Sequence, residues 1–218
     1  MKQEKHHNIQ AVLFDMDGTL IDTEKYYRIF WPKALAEFGY TMTDEQALAM
    51  RSLGRPFAPA KLKEWFGEEL DYPAVRQRRK ELMEACLDKE GIVCRPGARE
   101  ALAFLRKKGI ITAIATATDL ERAEKYLQKT GLLPYFDEII SASMVKEGKP
   151  SPDIYLYACE KMGLLPENCL AVEDSPNGVV SAYRAGCRVV MVPDQTQPDE
   201  ELKKYLYACI PSLEEMCI

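Results

Sequence analysis

QAVLFDMDGTL, residues 10–20, is an apolar run closed by two carboxylates, Asp15 and Asp17, and a glycine. A strand that is hydrophobic at nearly every position, instead of alternating, is one covered on both faces. Four more runs share this character: IITAIAT at 110–116, DEIIS at 137–141, CLAVE at 169–173 and RVVMV at 188–192. Helical patterns separate them. The stretch 98–109 turns Ala101, Leu102 and Leu105 inward and stops at Gly109, and 119–131 opens on Asp119 as an N-cap and ends at Gly131. The stretch 151–163 takes Ser151 as its cap and Pro152 in its first turn, and 175–186 repeats that grammar. Alternation of strand and helix implies right-handed crossovers, hence an α/β protein with a mostly parallel sheet and helices on both faces.

One interval breaks the alternation. Between residues 23 and 94 no convincing strand occurs, and helical patterns fill 24–39, 43–54, 58–67 and 72–91, with Pro32 a candidate kink in the first. The simplest arrangement divides the chain into a core of 1–22 plus 95–218 and a helical cap of 23–94. That cap is inserted after the first strand and folds as a small bundle over the carboxyl edge of the sheet.

A chain of 218 residues suits this core-plus-insertion plan. Its only histidines, His6 and His7, sit in the leading MKQEKHHN, which reads as a disordered terminus. A Ser-His-Asp or Cys-His site, or a His-rich zinc site, would need an imidazole inside the fold. Acid-base or metal chemistry must therefore rest on the 34 Asp and Glu residues. The net charge of −5 does not suit a broad nucleic-acid face. Seven cysteines with no CxxC pair read as reduced thiols, not as a disulfide framework. No run approaches a membrane span and no signal-peptide core is present, so a cytoplasmic protein without a membrane partner is expected, monomeric by default.

Ligands of open α/β sheets bind outside the carboxyl ends of the strands. Asp15 and Asp17, two residues apart at such an end, project the same way by strand alternation, and Gly18 lets the chain turn sharply behind them. Two carboxylates this close repel; a hard divalent cation, best Mg²⁺, would offset that. At the next strand end Thr116, Ala117, Thr118 and Asp119 offer a hydroxyl and free N–H groups for an anion, or serve as ordinary helix capping. In KEGKPSP, Lys149 can reach over the sheet edge to neutralise a phosphate, or remain a solvated loop lysine; it is preferred to Lys146 because Pro150 fixes its backbone. Glu173 and Asp174 close the fourth strand and supply further carboxylates, with helix capping by Asp174 or Ser175 as the alternative.

Aspartates, hydroxyl, lysine and paired acids, each at a strand end and in this order, resemble the haloacid dehalogenase superfamily. LFDMDGTLIDTE, the TAT strand end, GKPSPDIY and VEDSPNG resemble its helical-cap branch, which includes β-phosphoglucomutase and phosphoglycolate phosphatase-like enzymes. The resemblance covers essentially the whole chain. It implies a Rossmann-like parallel sheet core with a small all-α cap domain, and Mg²⁺ as cofactor. It implies Asp15 as nucleophile and Asp17 as general acid and base, with Thr116, the Ala117 backbone and Lys149 holding the phosphoryl group. The metal site it implies is Asp15, the Asp17 backbone carbonyl and Asp174, with Glu173 acting through water or behind them. A carboxylate nucleophile, ionised at neutral pH, needs no histidine.

The cap then selects the substrate, with Thr23, Tyr27 and Arg55 the candidates, and Glu24, Trp31 and the cluster Arg76, Arg78 and Arg79 further ones. Tyr27 and Trp31 could equally be cap core, and RQRRK a solvated helix face. Where β-phosphoglucomutases carry a histidine, this sequence has Tyr27. The expected function is therefore a Mg-dependent phosphatase acting on a small phosphorylated metabolite, a sugar phosphate, through an aspartyl-phosphate. The alternatives are a sugar phosphomutase and, less favoured, a non-catalytic binding protein on the same fold. Retention of Asp17 argues against dehalogenase chemistry, and the lack of GxGxxG after a strand argues against dinucleotide binding.

Overall fold

The computed structural model describes residues 9–217; the expected disorder of the segment bearing His6 and His7 lies outside them. In chain order β1 (Ala11–Phe14) leads into four helices, α1 (Glu24–Glu37), α2 (Asp44–Ala49), α3 (Phe57–Phe66) and α4 (Tyr72–Glu90). The alternating part follows: α5 (Ala98–Lys107), β2 (Ile111–Thr116), α6 (Leu120–Thr130), β3 (Glu138–Ser141), α7 (Asp153–Met162), β4 (Cys169–Glu173), α8 (Pro176–Ala185), β5 (Arg188–Met191), α9 (Glu200–Lys203) and β6 (Ala208–Cys209). The six strands form one parallel sheet in the order β3-β2-β1-β4-β5-β6.

Period-2 alternation explains why these strands are apolar throughout. Val12, Phe14, Ile114 and Val172 face the layer of α5 and α6, where they meet Leu102, Ala123 and Leu127. Ala11, Leu13, Ala113, Ala115 and Ala171 face the layer of α7 and α8, where they meet Ile154, Ala158, Val179 and Ala182. The register places Phe14 level with Ile114 and Val172. Residues beyond those three therefore emerge together at one edge of the sheet, with β1 at its centre.

The cap has its own core, in which Trp31, Leu35, Leu62 and Val75 are buried against one another. Helix α1 runs uninterrupted through Pro32. Asp71 caps α4 by accepting from the Ala74 N–H at 3.0 Å, and Thr43 and Gln46 form a reciprocal capping box at α2. The two chain crossings into the cap run side by side: Asp22 N–H donates to the Val93 carbonyl at 2.9 Å and Arg95 N–H to the Leu20 carbonyl at 2.8 Å. Among the described residues no helix is long and apolar enough to cross a membrane.

Three local details depart from expectation. Helix α7 is capped at Pro152, one residue later than Ser151, whose hydroxyl instead donates to the Asp153 carboxylate at 2.6 Å. Asp119 holds the N-cap position of α6, yet its side chain caps nothing because cap cations claim it. Strand β6, only two residues long, carries too little pattern to be read from sequence. At the fourth strand end the capping role falls to Ser175, which accepts from the Gly178 N–H at 3.2 Å and leaves Asp174 free for other work.

Candidate active site

The ends of β1, β2 and β4 and the loop before α7 converge under the cap. Asp15 follows Phe14 directly, and its N–H donates to the Val172 carbonyl at 2.9 Å, which sets it beside Glu173 and Asp174. Lys149 is wholly buried and bridges the two strands, 2.5 Å from Asp15 Oδ1 and 2.6 Å from Glu173 Oε1. The Tyr155 hydroxyl, from the first turn of α7, donates to the same Glu173 oxygen at 2.6 Å. Glu173 Oε2 accepts from the Asp174 N–H at 3.2 Å. The glutamate is thus saturated by donors and fixes the lysine against Asp15. Burial lowers the Lys149 pKa, but the Asp15 and Glu173 charges outweigh it and leave the pKa raised. Burial is also the main cause that holds the Asp15 carboxyl well above the usual carboxylate range, with Glu173 and Asp174 adding to it against Lys149.

Asp17 sits one turn further, past Met16, and accepts from Thr23 Oγ1 at 2.5 Å and Thr118 Oγ1 at 2.7 Å. Gly18 behind it has φ +87°, the left-handed turn the sequence suggested. Tyr27 of α1 hydrogen-bonds Thr118 at 2.8 Å through its hydroxyl and accepts from Arg122 Nη2 of α6 at 3.2 Å. A chain of polar contacts therefore leads from Asp17 across the interface to the cap.

Asp174 is fully buried, and Arg51 of the cap donates to its Oδ2 and, at 3.1 Å, to its carbonyl oxygen. The same guanidinium lies 3.7 Å from Glu24 and donates to Thr196 at 2.9 Å. Burial, followed by Glu173 among the raising charges and opposed by Arg51, pushes the Asp174 pKa up to about 7. Carboxyl oxygens of Asp15, Glu173 and Asp174 lie within 4.8 Å of one another. Asp15 Oδ2 and Asp174 Oδ1 are buried with no hydrogen-bond partner. Unpartnered hard oxygens on two members of a buried three-carboxylate cluster fit a divalent cation such as Mg²⁺.

Of the other sequence candidates, Ala117 and Arg55 line the cavity with Asp15, Asp17 and Tyr27. Thr116 is buried just behind, where its hydroxyl accepts from the Thr118 N–H at 3.1 Å. Trp31 serves the cap core and also lines the cavity, whereas Arg78 is on the outer surface, paired with Glu37. Arg51, Arg122 and Tyr155 were not singled out from sequence, and Thr118 was read only as part of a strand end that could hold an anion or cap a helix. Their roles depend on how the cap and α7 dock, which leaves no mark on local spacing. The cap loop also touches the lysine loop by backbone alone: Gly54 N–H donates to the Lys149 carbonyl at 2.8 Å and Gly148 N–H to the Arg55 carbonyl at 2.6 Å.

A parallel sheet with two aspartates, a buried lysine and an acid pair at its carboxyl edge, closed by a helical insertion, defines a capped α/β fold with a carboxylate-lined site. The model of the haloacid dehalogenase-like hydrolases matches residues 9–186, and the chain belongs to that family. It is 33% identical over 182 residues to the phosphorylated carbohydrates phosphatase of Thermotoga maritima, with 82% of each chain covered. It is 36% identical over 185 residues to hexitol phosphatase A of Escherichia coli, covering 84% of this chain and 82% of that one. The crystal structure of CbbY from Rhodobacter sphaeroides in complex with phosphate superimposes with a TM-score of 0.80 at 28% identity, over 95% of this chain and 96% of that one. The chain is a phosphoric monoester hydrolase of this family.

Proposed function

We propose that the protein is a Mg²⁺-dependent phosphatase that hydrolyses a small phosphorylated sugar through an aspartyl-phosphate at Asp15. The observation that carries this reading is the state of Asp15. One oxygen is held by Lys149 and the other is unpartnered, at the centre of the sheet edge and on the wall of the cavity. An Asp15 carboxylate oxygen attacks phosphorus, the phosphorus–oxygen bond to the sugar breaks, and Asp17 delivers a proton to the departing sugar oxygen. A water then loses a proton to Asp17 and attacks the acyl phosphate, which releases inorganic phosphate and restores Asp15. Lys149 offsets charge on the transferring group; the Ala117 backbone and Thr116 border it. Asp15 and Asp174, with the Asp17 carbonyl, would hold Mg²⁺, which when bound supplies further charge neutralisation at the phosphoryl oxygens. Glu173 acts behind them by positioning Lys149.

Names of the two carbohydrate-phosphate phosphatases support the sugar class. Tyr27, tied to Thr118 and Arg122, supports hydrolysis over phosphomutase chemistry, which the sequence resemblance associates with a histidine there. We also place the domain division at 22/23 and 94/95, where the paired crossings lie, and the protein in the cytoplasm as a monomer.

The test is phosphate release with Mg²⁺ over a panel of sugar and sugar-alcohol phosphates. Turnover of at least one, lost by about 10³-fold or more in Asp15→Asn and abolished by EDTA, is expected. Conversion of β-glucose 1-phosphate to glucose 6-phosphate without phosphate release, in the presence of a bisphosphate activator, would reject hydrolysis.

A further inference from the structure

Five arginines line the cavity, Arg51, Arg55, Arg76, Arg79 and Arg122, against four carboxylates, Asp15, Asp17, Glu24 and Asp119. Arg79 of α4 and Arg122 of α6 both line it and both are buried. Neither has a carboxylate partner among its described hydrogen bonds and ion pairs. Arg79 Nη1 finds only the weak acceptor Met83 Sδ, at 3.6 Å, and Arg122 Nη2 only the Tyr27 hydroxyl. Arg79 Nε and Arg122 Nε and Nη1 are buried without any partner. The nearby acid, Asp119, is already engaged by Arg76 at 3.0 Å and Lys80 at 2.5 Å.

A buried guanidinium without an anion is costly. Stacking holds the groups in place: the Arg79 guanidinium lies 4.6 Å from the Tyr27 ring centre and 5.0 Å from that of Trp31. Arg122 lies 5.9 Å from the Tyr126 ring centre. Stacking uses the faces of the guanidinium and leaves its edge N–H donors free, and planar edge donors suit phosphate or carboxylate. Burial lowers the Arg79 pKa, with Arg122 as a like-charged neighbour adding to it against Tyr27; burial also acts on Arg122, but Tyr27, Tyr126, Asp17 and Asp119 outweigh it and leave that pKa raised.

Position argues for substrate and not for structure alone. Three successive polar links, Asp17 to Thr118, Thr118 to Tyr27 and Tyr27 to Arg122, separate this pair from the reacting aspartates within one cavity. An anion bound between Arg79 and Arg122 would sit on the far side of Tyr27 from the transferred phosphate. We propose that Arg79 and Arg122 form a second anion subsite, so that the preferred substrates carry a distal phosphate or carboxylate besides the phosphate that is removed. This inference rests on the phosphatase reading above and narrows its substrate class.

The measurement is a selectivity ratio between matched compounds. Fructose 1,6-bisphosphate is compared with each fructose monophosphate for a distal phosphate, and 6-phosphogluconate with glucitol 6-phosphate for a distal carboxylate. Each ratio is read twice with Mg²⁺ present: as kcat/KM for phosphate release by the unaltered enzyme, and as affinity by calorimetry with Asp15→Asn. Hydrogen bonds to charged groups predict a preference of about tenfold or more for the doubly anionic member of at least one pair. The favoured pair tells phosphate from carboxylate. Arg122→Gln and Arg79→Met are each expected to bring the ratio to within about threefold of unity, while Arg122→Lys retains part of it. A variant that folds poorly loses both members of a pair together and leaves the ratio in place. Ratios near unity in the unaltered enzyme, or unchanged in both neutral variants, overturn the subsite. Loss of the phosphatase reading looks different: no phosphate release from any compound, with the binding preference and its dependence on the two arginines intact.

Discussion

Replacing Lys149 with methionine removes a buried ammonium and leaves two buried carboxylates facing one another. Its contacts to Asp15 and Glu173, at 2.5 and 2.6 Å, amount to about 6 kcal/mol each at an effective dielectric near 20, before the cost of burying the lysine. Breaking such a buried pair from one side costs about 3–5 kcal/mol. Proton uptake limits the loss. Lys149 lowers the Asp15 pKa against the burial that raises it, so without the lysine that carboxyl holds its proton up to a higher pH. A raised carboxyl pKa contributes stability that is complete below the unfolded value and is lost as pH rises through the folded one. The deficit against the unaltered protein should therefore grow with pH. One proton held over the two units between pH 5.5 and 7.5 corresponds to about 2.7 kcal/mol, an upper bound because the Asp15 pKa is raised in the unaltered protein too. Asp174, with its pKa near 7, gives both proteins a similar slope that cancels in the difference. Urea unfolding in EDTA, followed by circular dichroism at both pH values, measures this. The expected result is a deficit of about 3–5 kcal/mol at pH 7.5 that shrinks at pH 5.5, by no more than about 2.7 kcal/mol. Adding Glu173→Gln should restore roughly half of it, because only Asp15 then lacks a partner. A deficit below about 1 kcal/mol at pH 7.5, no pH dependence, or no recovery in the double variant would refute the reasoning.

Thr118→Val removes the hydroxyl that joins Asp17 to Tyr27, so kcat for phosphate release should fall about tenfold and stability by about 1 kcal/mol, checked by steady-state kinetics and thermal melting. Magnesium binding should release protons, because burial leaves the Asp174 pKa near 7 and the Asp15 pKa raised, while a cation takes only ionised carboxylates. Calorimetric titration at pH 7 in two buffers of different ionisation enthalpy should show release of about half to one proton per chain, with affinity rising from pH 6 to pH 8. Heats that do not depend on the buffer would contradict this.

What the sequence made legible follows from topology. Asp15, Thr116, Glu173 and Asp174 could be read because each sits at or beside the end of an apolar run, and parallel strands bring such ends to one edge; Lys149 was read from its place beside Pro150 in the loop before α7. Side-chain assignments were less legible where two partners compete for one group. Asp119 stands where a cap is expected, but the charged Arg76 and Lys80 outbid a neutral backbone N–H for its carboxylate. Glu173 has the composition of a metal ligand, yet Lys149 and Tyr155 converge on one of its oxygens. Arg51 lies three residues before Arg55 in a loop without periodicity, and only cap docking brings it to Asp174. The burial of Arg79 beside the half-buried Arg78 is a matter of helix phase, hidden in a run of charges that is polar on every side.

The backbone clasp between the cap loop and the lysine loop bears on how readily the enzyme can be re-engineered. A Cβ on Gly54 would lie 2.5 Å from the Gly148 Cα, and one on Gly148 would lie 2.6 Å from the Gly54 Cα, so the two glycines form a socket that accepts only each other. Its hydrogen bonds run between main chains and carry no information about neighbouring side chains. The joint is thus a standard fitting. A foreign cap that brings glycine at position 54 and the same loop path could be grafted onto this catalytic base and still seat on Lys149, with specificity exchanged as a module.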